Sequence, residues 1–153
     1  MPCRYVIDKE RRLVISTGWD QVTFEEMKAH QDQLALDPEF NSEFNQLVDG
    51  TAVTTLDLSI DDIRTLTTRS LFSPTSRRAF VATQPAIYGM GRMLGAYAEM
   101  SKIPQTATVF YDLPSALQWL GLEETPDLFK SGEGKKKADP AVQSIKNGRA
   151  RTA

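Results

Sequence analysis

The densest cluster of residues able to do chemistry lies between positions 88 and 99, Tyr-Gly-Met-Gly-Arg-Met-Leu-Gly-Ala-Tyr-Ala-Glu. On a helix, Gly91 and Gly95 share one face, where the missing side chains let another backbone or a ligand approach closely. Each glycine inside a helix costs up to about 1 kcal/mol relative to alanine, so something must offset the run. Tyr88, Arg92 and Glu99 fall on a separate, polar-tipped stripe. Met90, Met93 and Met100 add adaptable apolar surface. The pattern suits a dimer interface, or the wall of a pocket for a small apolar or acidic ligand. Close packing of the helix on a sheet accounts for the glycines equally well. The glycine spacing is not that of a dinucleotide-binding turn, and no glycine turn directly follows a strand.

Ser59 is the second candidate. It stands where a helix begins, and the helix dipole would stabilise a phosphate placed there. Asp61 and Asp62 follow and would repel one, and a plain helix-capping serine fits the same position. His30 falls in mid-helix beside Met27 and Leu34, and no serine or cysteine pairs with it in the sequence, so a structural histidine is expected. Asp8, Asp49, Asp57 and Asp112 fall at strand ends, where turn and cap roles suffice, with Asp49-Gly50 read as a turn. One cysteine, Cys3, and one histidine cannot assemble a zinc site of the usual kind. No cofactor is implied, and no paired nucleophile and base or metal cluster is visible, so an enzyme is not expected.

These residues sit in a chain of 153 residues, the size of one domain, with 41% hydrophobic and 25% charged residues. The N-terminus lacks the apolar core of a signal peptide, and no run approaches a membrane span, which places the expectation in the cytoplasm. Residues 1–125 carry a net charge of −6 and residues 126–153 one of +4. An acidic body argues against nucleic-acid binding, which needs a positive face. The division is therefore a domain over residues 1–125 and a basic tail over 126–153, expected to be flexible. Its Lys135-Lys136-Lys137 run reads as solvated linker, with a short helix conceivable at 140–146.

The elements that position the candidates follow from local pattern. Arg4–Asp8 and Arg12–Thr17 read as a hairpin, with Gly18 ending the second strand or permitting a bend. Thr23 and Glu26 form a capping box for a first helix, with Phe24, Met27, Leu34 and Ala35 near its inner face and Gln31 interrupting them. Phe44–Val48 reads as a third strand, followed by a Thr-rich loop at 51–57. Ser59 opens a second helix with Ile60, Ile63 and Leu66 as core positions. Arg77–Thr83 is a fourth strand covered on both faces. Pro85 starts a third helix running to about Met100. Ala107–Tyr111 is a fifth strand, and Asp112 caps a fourth helix that Gly121 closes. The order β-β-α-β-α-β-α-β-α predicts an α/β fold with a mixed five-stranded sheet.

This order, with Tyr5-Val6-Ile7-Asp8, Thr17-Gly18 and Thr23 before the first helix, Val48-Asp49, and Asp57-Leu58-Ser59, resembles the SpoIIAA-like family, a relative of STAS domains. Tyr88-Gly89-x-x-Arg92-Met93 and Phe110-x-Asp112-x-x-x-Ala116-x-x-Trp119-Leu120 extend the resemblance over roughly residues 4–122. It implies helices mainly on one face of the sheet and a non-enzymatic binding or regulatory module. The first expectation is therefore a regulatory or protein-interaction module, working on itself as a homodimer or on another regulatory protein. A small-molecule or lipid-binding domain with a pocket beside the third helix is the alternative. A second alternative is a phospho-switch: in anti-sigma-factor antagonists a phosphorylated serine opens the helix after the third strand, the place of Ser59.

Overall fold

The structure, a computed structural model, describes residues 2–69 and 71–122. The proposed basic tail lies outside the described residues. Nine elements follow in order: β1 (Cys3–Asp8), β2 (Leu13–Thr23), α1 (Phe24–Leu36), β3 (Asn45–Asp57), α2 (Ile60–Thr68), β4 (Arg77–Val81), α3 (Pro85–Glu99), β5 (Thr106–Phe110) and α4 (Leu113–Leu120). They build one sheet in the order β1-β2-β3-β4-β5. β1 runs antiparallel to β2, and β2 through β5 are parallel.

Alternation along the strands decides which residues meet which helix. Leu13 and Ile15 on β2, Leu47 on β3, and Ala79 and Val81 on β4 pack against Ala116, Leu117 and Leu120 of α4. The opposite side is covered by the other three helices. Val14 packs with Leu34 of α1, while Val22, Val53 and Val109 pack with Ile87 of α3. Ile63 and Leu66 bury the inner side of α2. Three helices thus lie on one face and α4 alone on the other.

Capping follows the sequence closely. Thr23 and Glu26 form a capping box at α1, and Ser59 and Asp62 form another at α2. The Asp112 carboxylate accepts from Ser115 N at 2.7 Å, and Gly121 closes α4 in the left-handed region at φ 80°.

Four expectations are corrected. β2 does not end at Gly18 but continues to Thr23 through two irregularities, one of them at Asp20 with φ 55°. The Thr-rich stretch at 51–57 is not a loop but the second half of β3, paired with that continuation of β2. Threonine and valine favour extended backbone, and the lengthened β2 offers Thr51–Asp57 a partner. Asp49-Gly50 is accordingly strand rather than turn. Gly50 is required there because a Cβ would fall 2.4 Å from the Phe80 ring on β4. Finally, Ile60 and Ala35 are exposed rather than core. The inward stripe of α1 is Met27, His30, Gln31 and Leu34, spaced three and four apart.

Candidate functional site

That stripe of α1 faces a cavity of about 160 Å³ between the sheet and helices α1, α2 and α3. Its walls are mostly apolar, with Val53, Leu56, Leu66 and Leu94 among them. Gly91 and Gly95 also line it, and the reason they are glycine is local. A Cβ on Gly91 would lie 2.7 Å from the Phe80 ring, and one on Gly95 would lie 2.7 Å from the Ala107 carbonyl oxygen. The Phe80 ring is therefore seated between Gly50 on β3 and Gly91 on α3, and α3 lies close on β5.

One patch of the wall is polar and continuous. Ser16 Oγ on β2 is 3.1 Å from His30 Nε2 on α1 and accepts a 3.0 Å hydrogen bond from Gln46 Nε2 on β3. Arg78 on β4 donates from Nε to Gln46 Oε1 at 2.9 Å and from Nη1 to Gln105 Oε1 at 2.7 Å. Its guanidinium also lies 4.7 Å from the centre of the Phe72 ring, a cation–π contact. Strand register creates the patch, because β3 and β4 pair Gln46 with Arg78 and β2 and β3 pair Val14 with Gln46.

Burial shapes the electrostatics of this patch. Desolvation, with the positive charge of Arg78 second, lowers His30 to about 4, so the imidazole is neutral near pH 7. Desolvation lowers Arg78 to about 10, still protonated near pH 7. Cys3, also in the lining, is raised to about 11 by burial first and by Glu26 second, and stays a thiol.

The structure thus gives His30 the hydroxyl partner that sequence spacing did not reveal. Its chemistry is weak. A base of pKa about 4 has little driving force to take a serine proton near neutrality. Ser16 Oγ is already held by the Gln46 amide. Among the described residues no carboxylate orients the ring; Tyr5 packs edge-on against it at 5.4 Å.

The other candidates lie elsewhere. Tyr88 and Arg92 do not line the cavity. Tyr88 stacks flat on Tyr111 at 3.8 Å, and Arg92 is exposed. The Gly91–Gly95 face is covered by the sheet, so association through α3 would have to use the opposite side, where Met93 and Met100 are exposed. Ser59 is exposed and accepts from Asp62 N at 3.0 Å as a cap, while its own N–H donates to Asp62 Oδ2 at 2.9 Å. Asp49 is buried, and its carboxylate accepts from the backbone and side chain of Thr51; burial raises its pKa. Among the described residues, no group of three or more His, Cys, Asp or Glu could hold a metal ion, and no helix is long and apolar enough to cross a membrane.

A solved structure decides what this arrangement of layers is. An uncharacterized protein from the DUF3478 family of Shewanella loihica PV-4, described as having a SpoIIAA-like fold, superposes with a TM-score of 0.53. The fold is SpoIIAA-like. The match covers 77% of this chain and 93% of the other at 20% identity, so the likeness is one of fold. No family model matches the chain, and no curated protein matches it. Within this SpoIIAA-like arrangement, the cavity and its polar patch come from the side chains of this chain.

Proposed function

We propose that this chain is a non-enzymatic regulatory module whose input is a small apolar molecule held between the sheet and helices α1–α3. The observation that carries the reading is the cavity of about 160 Å³ with mostly apolar walls. Well-packed interiors hold few voids larger than a water molecule. An apolar cavity of roughly 150 Å³ is enough to take up benzene, so the space here suits a single ring or a short chain. The weak Ser16–His30 pair supports binding over catalysis, because its groups are placed to hydrogen-bond and not to exchange protons near pH 7.

The test is thermal unfolding and calorimetric titration with toluene, benzyl alcohol, 1-hexanol, benzoate and hexanoate near pH 7. Saturable binding of any of these, accompanied by a raised Tm, supports the reading. The absence of saturable binding across the whole set at millimolar concentration would overturn it. Replacing Leu94 by Trp should fill the cavity from α3 and abolish binding; binding that survives in a folded L94W protein would place the ligand elsewhere.

A further inference from the structure

The cavity holds a charge without a counterion. Arg78 is the one formally charged side chain in its lining among the described residues, and no Asp or Glu lines it. Among the described residues, its hydrogen-bond and ring partners are neutral: the carbonyl oxygens of Gln46 and Gln105, and the face of Phe72. Two glutamines orient a cation well but leave its charge unbalanced. Arg78 is half-buried, and a charge drawn out of water is ordinarily paired, because the desolvation penalty is otherwise large. Nor is the guanidinium saturated with acceptors. It has five N–H donors. The glutamines take one on Nε and one on Nη1, and among the described residues Nη2 has no acceptor for its two hydrogens.

Arg78 itself supplies the positive charge that an anion needs, and its neighbours fix where that charge stands. Gln46 spans the two halves of the patch, accepting from Arg78 through Oε1 and donating to Ser16 through Nε2. The arrangement keeps the guanidinium at a fixed place on the sheet, with its unused edge on a side chain that lines an apolar space.

We infer that the cavity selects small apolar monocarboxylates, with the carboxylate accepting from Arg78 and the hydrocarbon part lying among Met27, Leu34 and Leu94. This rests on the cavity being a ligand site. A planar carboxylate matches the planar guanidinium in shape as well as charge, which distinguishes it from an alcohol or amide of equal size. The volume limits the ligand to one ring or a chain of about six carbons.

Paired ligands test the inference on the unmodified protein. Calorimetric titration near pH 7 compares benzoate with benzyl alcohol and hexanoate with 1-hexanol. Each acid should bind at least tenfold more tightly than its alcohol, and R78M should remove that preference while still binding the alcohols. R78K, which keeps the charge and loses the planar fork, should retain part of it. Alcohols binding as tightly as acids in the wild type would overturn the carboxylate assignment and leave the ligand-binding reading standing. Failure of acids and alcohols alike would overturn the inference, and failure of toluene as well would overturn the ligand-binding reading. An acid preference that persists in R78M would overturn the role of Arg78. If R78M does not fold, the wild-type pairs and R78K decide.

Discussion

Replacing His30 by Gln should flatten the acid limb of the stability curve by an amount that the burial of the imidazole sets. Gln keeps an amide near the position of Nε2, which faces Ser16 Oγ, but cannot be protonated in this range. In the folded protein His30 titrates at about 4. In the unfolded chain it titrates near its ordinary value of about 6.5. The folded pKa is lowered, so the unfolded state takes up the proton first as pH falls. Stability due to the neutral imidazole is therefore whole above about pH 6.5 and is lost progressively down to about pH 4. At about 1.36 kcal/mol per pKa unit, the loss between pH 7 and pH 5 is about 2 kcal/mol, approaching about 3 kcal/mol near pH 4. Urea unfolding of wild type and H30Q at pH 7, 6 and 5 reads it directly. The difference in unfolding free energy between the two proteins should shift by about 2 kcal/mol from pH 7 to pH 5, with H30Q gaining relative to wild type. Arg78, Cys3 and Tyr5 are the other titratable groups on neighbouring strands that face this region, and none changes charge in that range. Asp49 acts with the opposite sign, since its raised pKa makes the folded state take up the proton first, but it is common to both proteins and cancels. Parallel pH curves for the two proteins would refute the burial of a neutral imidazole.

Two further outcomes follow from backbone and cap geometry, both read by equilibrium unfolding. The helical glycines should divide by what lies opposite them. G89A, with nothing within 4 Å of the added Cβ, should stabilise by up to about 1 kcal/mol, whereas G95A, whose Cβ meets the Ala107 carbonyl oxygen at 2.7 Å, should destabilise by about 1–3 kcal/mol. S59A removes the acceptor for Asp62 N and should cost about 1 kcal/mol; a negligible change would show that the box at α2 is held from the Asp62 side alone.

Local chemistry was legible where a side chain acts on its own neighbours. Thr23 with Glu26, Ser59 with Asp62, and Asp112 ahead of Gly121 each satisfy backbone groups within a few residues, so their roles can be read from spacing. The second half of β3 was not legible for the complementary reason. Thr51, Thr54 and Thr55 are polar enough to resemble a loop, and the stretch forms a strand because β2 continues past Gly18 to pair with Ala52, Val53, Thr55, Leu56 and Asp57, a contact that spans more than thirty residues. The long β2 is itself hidden by Gly18 and by the positive φ at Asp20, both of which look like strand ends in a linear reading.

The polar patch in the cavity was out of reach by the same logic, though one trace of it lay in the sequence. His30 and Gln31 break the apolar stripe of α1 between Met27 and Leu34, at positions that point to the core. Two adjacent polar residues on an inward face must find partners inside, because an unsatisfied buried polar group is costly. The partners are supplied by separate elements. Gln31 donates to the Leu66 carbonyl oxygen and accepts from Arg69, while His30 meets Ser16 of β2, which Gln46 of β3 joins to Arg78 of β4. Their identities are unremarkable one at a time, since a serine, a glutamine and an arginine in strands suggest solvent-facing positions. Only strand alternation and parallel register turn all three toward α1 on the same side of the sheet. A core chosen for stability alone would gain from apolar residues there, because replacing buried charged groups with well-packed hydrophobic ones is often neutral or stabilising. Retaining a guanidinium with an unused donor edge beside an apolar space is instead the arrangement that a ligand with one anionic group and a small hydrocarbon body would complete.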